Sequence, residues 1–143
     1  MPRRFLILQG PNLQLLGKRE PGVYGHRSLD QMHDDLKIWA GKRDMELEFF
    51  QSGSEGDLLK ALHDADERYD GVVFNPGGFT HSSVALRDGI AAIEIPVVEV
   101  HLSNIHARES WRRNSITAAA SLGLISGFGE DGYRLALMQL AGV

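Results

Sequence analysis

No cysteine occurs among the 143 residues of this chain, which excludes disulfide bonds, thiolate catalysis and cysteine-ligated metal sites. No apolar run approaches the length of a membrane span, and the amino terminus enters a predicted strand without the apolar region of a signal peptide. The formal net charge of −4 argues against nucleic-acid binding through bulk electrostatics. We therefore predict a cytoplasmic protein with neither a membrane nor a nucleic acid among its partners.

The chain also lacks the phosphate-binding motif G-x-x-x-x-G-K-[ST] and the serine-hydrolase motif G-x-S-x-G. A metal site needs clustered histidine and carboxylate ligands, for which Glu99-x-His101 alone is a weak case. The residues therefore give no argument for a bound metal or for a covalent serine intermediate.

Short apolar runs alternate with longer helical patterns, and the length fits one domain. Strands are predicted at 5–8, 45–50, 71–74, 95–100 and 122–126. Helices are predicted at 29–42, with Ser28 as N-cap, from 54 to about 65, and at 132–140. A further helix is predicted to begin at a cap, either Thr80 or His81, and to end at 93. This alternation predicts an α/β fold, a flavodoxin-like five-stranded parallel sheet with helices on both faces. We expect the alternating strand 45–50 to lie nearer the edge.

A long loop follows the first predicted strand, from about residue 10 to residue 27, with four glycines and two prolines. Connections between a strand and a helix usually take about two to six residues, and long ordered loops tend to be lids or binding loops. We therefore predict a lid within a single catalytic domain, residues 1–143. A guanidinium at Arg19 would stabilise a phenolate at Tyr24, which suggests acid–base chemistry there. A packed, non-catalytic Tyr24 is the alternative.

Polar residues follow three of the predicted strands, at Asn12, at 75–83 and at 99–108. Because ligands in such folds bind beyond the carboxyl ends of the strands, we expect the three segments to converge on one crevice. Paired glycines at 77 and 78 would let the backbone approach a ligand. Alternation places Glu99 and His101 on one side, where a carboxylate orients an imidazole that serves as general acid. A helix-capping glutamate and a solvated histidine are the alternative.

The remaining histidines and arginines leave their roles open. His81 fits a helix cap and a ligand contact equally well, and His26, His33 and His63 are expected to be solvated. Arg108, Arg112 and Arg113 follow the fourth strand, where such a run is usually a solvated face. A substrate with hydroxyls or a carboxylate would use one of them.

Four blocks of sequence carry a family resemblance over nearly the whole chain. They are GPNL at 10–13 with LLGKREP at 15–21 and YG at 24–25, NPGGFTHSSVALRD at 75–88, VEVHLSNIHARE at 98–109, and GFG at 127–129 with GY at 132–133. Together they resemble the type II 3-dehydroquinate dehydratases of the shikimate pathway. The resemblance implies dehydration of 3-dehydroquinate to 3-dehydroshikimate, without a cofactor, by an anti elimination through an enolate. It also implies trimers stacked into a dodecamer.

The resemblance also implies roles for single residues. Tyr24 would take the C2 proton while Arg19 holds the phenolate, and Asn12 would hold a water against the developing enolate oxygen. His101, oriented by Glu99, would protonate the departing C1 hydroxyl. The implied substrate contacts are Asn75, His81 and Arg112 for hydroxyls, Leu102 and Ser103 for the carboxylate, Arg108 as a lid-associated arginine, and Asp88 reaching a neighbouring subunit's site.

The chain departs from the family pattern at Gln14, Gly53-Ser54, Trp111 and Asn114, none of which is a proposed catalytic residue. The second hypothesis is a flavodoxin-like ligand-binding or regulatory module without catalysis, which replacement of Tyr24, Arg19 or His101 would have favoured. The sequence does not separate a biosynthetic role from quinate breakdown, since both use the same reaction.

Overall fold

A computed structural model describes residues 2–18, 20–24 and 26–143, with only the backbone of Tyr24. The strands are β1 (Arg3–Gln9), β2 (Met45–Gln51), β3 (Gly71–Asn75), β4 (Val97–His101) and β5 (Gly123–Ser126). The α-helices are α1 (Pro21–Tyr24), α2 (Leu29–Gly41), α3 (Glu55–Ala65), α4 (Val84–Ala92) and α5 (Asp131–Ala141). No helix of these residues has both the length and the apolar character needed to cross a membrane.

The five strands form one parallel sheet in the order β2-β1-β3-β4-β5. This is the flavodoxin-like order, so the predicted fold class is confirmed, and β2 lies at an edge as expected. The register pairs Gln9 at the end of β1 with Asn75 at the end of β3. The carboxyl ends of β1 and β3 therefore lie side by side, at the end of the sheet where these strands stop.

Alternate residues of β1 feed two separate hydrophobic cores. Phe5 and Ile7 belong to the core that includes buried residues of α2 and α5. Leu6 and Leu8 belong to the core that includes buried residues of α3 and α4. The central strands read as continuous apolar runs because both faces are covered by helices.

Serine N-caps begin α2, α3 and α4, with one correction to the predicted boundaries. Ser28 caps α2 in a capping box with Gln31, as predicted. Neither Thr80 nor His81 caps α4: both lie in a short 3₁₀ helix, and Ser83 accepts the hydrogen bond from Leu86 N at 3.0 Å. The Thr80 hydroxyl instead donates to Glu99, which orients its side chain towards β4.

The long first loop is more structured than predicted. It contains a 3₁₀ turn at Leu13–Leu15 and the short helix α1, which begins at Pro21, so Ser28 does not mark the first helix after β1. Proline suits a first helical turn because its missing N–H has no partner to lose there. Whether this segment acts as a lid stays a prediction.

Candidate active site

A cavity of about 170 Å³ lies at the carboxyl ends of β1, β3 and β4. Its lining residues are Pro11, Asn12, Leu13, Asn75, Gly77, Gly78, His81, His101, Leu102, Ser103, Ile105, Arg108, Trp111 and Arg112. The predicted site residues among them are Asn12, Asn75, His81, His101, Leu102, Ser103, Arg108 and Arg112. The structure therefore brings the three predicted segments together at one crevice.

A larger cavity, of about 320 Å³, is lined by residues of β2 and α3 together with Arg68 and Tyr69. None of the predicted site residues lines it. We place the candidate active site in the smaller cavity because a buried carboxylate–imidazole pair opens there, which the larger cavity does not contain.

The glycines of the crevice bring two backbone segments together. A Cβ atom on Gly10 would lie 2.4 Å from the carbonyl oxygen of Pro76, and one on Gly77, where φ is +61°, would lie 2.9 Å from that of Pro11. Gly77 thus permits the contact between the first loop and the β3 loop, and it also lines the cavity, so the predicted approach of a ligand there stays a prediction. Gly78 lines the cavity and has open space around it.

Glu99 and His101 project to the same side of β4 and form a buried pair. His101 Nε2 lies 2.7 Å from Glu99 Oε2, with 8% of the imidazole and 1% of the carboxylate side chain exposed. The alternative of a helix-capping glutamate and a solvated histidine is therefore wrong. An ionised carboxylate only accepts hydrogen bonds, so Nε2 carries a proton and Nδ1 is the nitrogen left for a ligand.

Three hydroxyl groups complete the surroundings of Glu99. Thr80 Oγ1 and Ser115 Oγ each donate to Oε2 at 2.7 Å, and Thr117 Oγ1 donates to Oε1. Burial alone would raise the pKa of Glu99, but the hydrogen bond and charge of His101, with the hydroxyls of Thr117 and Thr80, hold the pKa below its ordinary value. Glu99 is therefore a buried anion with its oxygens satisfied.

His81 lies at the cavity wall in a fixed tautomer. Its Nδ1 is 2.9 Å from the backbone carbonyl oxygen of Asn114, which can only accept, so Nδ1–H donates and Nε2 remains for a ligand. The indole of Trp111 stands edge-on to the imidazole, with ring centroids 5.7 Å apart, and is 59% exposed. Sequence reasoning noted Trp111 only as a departure from the family pattern and missed its place at the cavity.

Two arginines and a pair of backbone N–H groups make the cavity suited to an anion. Arg108 Nη1 lies 3.4 Å from Ser103 Oγ and its Nη2 lies 3.9 Å from a carboxylate oxygen of Glu20 in the first loop. Arg112 pairs with Glu109. The structure shows no hydrogen bond from the backbone N–H of Leu102 or Ser103 to another described residue.

Of the predicted site residues that the structure describes, Glu99 and Asp88 do not line this cavity. Arg19 and the side chain of Tyr24 lie outside the described residues, so their predicted roles stay predictions. Asp88 is exposed on α4, where it pairs with Arg87 at 3.1 Å, and it does not line the cavity.

Residues 127–132 read GFGEDG and match the spacing G-x-G-x-x-G of dinucleotide-binding loops, but two of the backbone donors of this turn are already occupied. The N–H of Gly127 donates to the carbonyl of His101 at 3.2 Å, and that of Gly129 donates to the carbonyl of Leu102 at 3.0 Å. These donors therefore bind backbone carbonyls at the carboxyl end of β4. Within the described part of the chain, no group of three or more histidine and acidic side chains could hold a metal ion.

His33 is not the solvated histidine that we predicted. It is half-buried on α2, stacks on Phe49 with ring centroids 4.2 Å apart, and its Nε2 lies 3.1 Å from Gln9 Nε2. Burial lowers the pKa of His33 to about 4, against the opposing charges of Asp30 and Asp34. The ring is therefore neutral at neutral pH.

We expect wild-type stability to fall between about pH 6.5 and pH 4 because His33 takes up a proton in the unfolded chain before it does so in the folded one. After a discount for partial exposure, the expected loss is about 1–2 kcal/mol. His33→Gln keeps an acceptor for Gln9 and should flatten this part of the profile. Urea unfolding of both proteins across this range measures the difference, and parallel profiles would contradict it.

The comparisons with known proteins agree with one another. The sequence profile described as Dehydroquinase class II matches residues 3–141. A 3-dehydroquinate dehydratase of Bacillus pumilus is 56% identical over 95% of this chain and 92% of its own length. The Pseudomonas aeruginosa protein named 3-dehydroquinate dehydratase 2 is 51% identical over 99% and 95%. The crystal structure of a type II dehydroquinase from Butyrivibrio crossotus superposes with a TM-score of 0.96 at 35% identity, over 98% of both chains.

Proposed function

Because the chain belongs to the class II dehydroquinase family, we propose that it is a 3-dehydroquinate dehydratase, a hydro-lyase of the shikimate pathway. The observation that carries the proposal is the buried Glu99–His101 pair, which opens on a cavity lined by amide, imidazole and guanidinium groups. Such a cavity suits a small cyclic acid with several hydroxyls.

The reaction removes a proton from C2 and a hydroxyl from C1. The Tyr24 phenolate takes the C2 proton, the C–H electrons form an enolate with the neighbouring ketone, and Arg19 stabilises the phenolate before transfer. Collapse of the enolate forms the C1–C2 double bond and breaks the C1–O bond. The departing oxygen takes a proton from His101 Nδ1 and leaves as water, so no cofactor takes part.

Glu99 supports the acid in two ways. Its hydrogen bond to Nε2 turns Nδ1 towards the cavity, and its negative charge stabilises the imidazolium that holds the transferable proton. Glu99 is the positioning partner of the pair, since it lies behind the imidazole and does not line the cavity. Proton transfer by a positioned group contributes roughly 10²–10⁴-fold, so stabilisation of the enolate must supply much of the remaining rate.

Asn12 lies in the loop after β1 and Asn75 is the last residue of β3, and both line the cavity. Asn12 has a φ of +71°, a left-handed conformation that asparagine tolerates better than most residues, and its side chain makes no capping hydrogen bond. It is thus available to hold the water that faces the enolate oxygen. Asn75, His81 and Arg112 bind substrate hydroxyls in this proposal.

The carboxylate of the substrate binds the N–H groups of Leu102 and Ser103. Their lack of a partner among the described residues supports this assignment, because two adjacent N–H groups form a small anion site. Arg108 lies within 3.9 Å of the first loop through Glu20, which supports its role beside the lid.

Assembly and location belong to the same proposal. We expect a single catalytic domain, a cytoplasmic location and trimers stacked into a dodecamer, in which Asp88 reaches the site of a neighbouring subunit. Its exposed position on α4 leaves it accessible to such a contact. Light scattering measures the mass, and a monomer would contradict the role of Asp88.

The direct test is to add 3-dehydroquinate to the purified chain and follow the absorbance of the conjugated enone product. We expect turnover without added metal or nucleotide, unchanged after treatment with a chelator. Binding of 3-dehydroquinate without any turnover would instead favour the non-catalytic module. Because biosynthesis and quinate breakdown use the same reaction, this test addresses the chemistry alone.

A further inference from the structure

A buried chain of side-chain hydrogen bonds runs from Asn75, at the candidate active site, to His33 on α2. Asn75 Nδ2 lies 3.0 Å from Tyr133 Oη, and Tyr133 Oη lies 2.9 Å from Gln9 Oε1. Gln9 Nε2 lies 3.1 Å from His33 Nε2. Gln9 and Tyr133 are fully buried and Asn75 is 3% exposed, so water does not compete for these groups.

One backbone group sets the direction of every bond in this chain. The N–H of Gly77 can only donate, and it lies 3.1 Å from Asn75 Oδ1, so that atom is the acceptor and Nδ2 must donate to Tyr133. The Tyr133 hydroxyl then donates to Gln9 Oε1, which leaves Gln9 Nε2 to donate to His33. A reversed Asn75 amide would place two donors together at Gly77.

We infer that Tyr133, held by Gln9, is a positioning residue that, together with the N–H of Gly77, holds the side-chain amide of Asn75 in one of its two orientations. The second N–H of Nδ2 and the free lone pair of Oδ1 then meet the ligand in a defined arrangement. The role of Tyr133 in turnover rests on the proposed function, whereas the orientation of the amide does not.

The ionisation of Tyr133 and of His33 agrees with this direction. Burial raises the pKa of Tyr133 to about 12, so the hydroxyl remains a donor to Gln9 at any working pH. Neutral His33 presents an unprotonated Nε2 as acceptor. Tyr133 and His33 therefore keep the same hydrogen-bonding roles across the neutral range.

The test compares Tyr133→Phe with Tyr69→Phe, which removes a hydroxyl that is bonded to Glu48 outside the site. We expect Tyr133→Phe to lower kcat/KM about 10–100-fold, mostly through KM, because misplacing one ligand hydrogen bond weakens binding. Tyr69→Phe should leave both constants within about twofold. Equal effects of the two variants would overturn the inference.

A double-variant cycle separates positioning from general destabilisation. If Tyr133 acts through Asn75, Tyr133→Phe should add less than about twofold to the effect of Asn75→Ala. A full additional loss in the Asn75→Ala background would show that Tyr133 acts by another route and would overturn the inference.

A measurement on the wild-type protein needs neither turnover nor a folded variant. The side-chain NH₂ of Asn75 should show two widely separated proton resonances in NMR spectra and slow hydrogen exchange, because one N–H is bonded inside the protein. Rapid exchange of both protons would overturn the inference even in an active enzyme. Slow exchange in a protein without dehydratase activity would support the inference while the proposed function fails.

Discussion

Replacing His101 with asparagine should stop the loss of water but leave exchange of the C2 proton running. Asparagine can still donate to Glu99 but has no titratable group to protonate the departing hydroxyl. We expect kcat for dehydration to fall by about 10²–10⁴-fold. The base lies on another segment, so the enolate still forms and returns to substrate, and deuterium from D₂O should enter at C2.

The structure offers a matched control for this variant. His106 is an exposed histidine in the segment after β4 and does not line the cavity. His106→Asn should keep dehydration within about twofold of the wild type. If His101→Asn dehydrates at the wild-type rate, or loses exchange and dehydration together, His101 does not act as the acid for the second step alone.

The fold was predictable because its signals are local. Continuous apolar strands, an alternating edge strand and serine caps all lie within a few residues of the elements they define. The predicted start of α4 was wrong because local signals do not decide it: Thr80, Ser82 and Ser83 are all of a residue type that caps helices. A contact with Glu99, a residue 19 positions away from Thr80, instead orients the Thr80 side chain towards β4.

The site was predictable only in part. The spacing of Glu99 and His101 on one strand places them together without further information. The hydroxyls that donate to Glu99 come from positions 16 to 19 residues away and have no sequence signature. The bond between Tyr133 and Gln9 joins residues 124 positions apart, so only the packing of α5 on the sheet could reveal it.

His33 shows how a helix pattern can mislead. Its neighbours Asp30 and Asp34 are charged, which favours a solvated surface. The stacking on Phe49 depends on how α2 lies against the edge strand β2, and that arrangement is tertiary. The same arrangement joins His33 to Gln9 and so to the site.

Replacing Tyr24 with phenylalanine should abolish both C2-proton exchange and dehydration. Phenylalanine keeps the aromatic ring and removes only the group that accepts the proton, so the enolate cannot form. We expect kcat to fall at least 10²–10⁴-fold, while KM changes little because the cavity contacts of the substrate come from other segments. Tyr69→Phe, with its hydroxyl outside the site, serves as the control.

The two catalytic variants together assign the steps, because the enolate separates proton removal from loss of water. If His101→Asn exchanges the C2 proton but does not dehydrate the substrate, the acid acts in the step after the enolate forms. If Tyr24→Phe does neither, the base acts in the step that forms the enolate. Exchange that persists in Tyr24→Phe would require a different base. The segment after β1 would then bind the substrate without performing chemistry, and the acid would have to work with a base from one of the other two segments of the cavity.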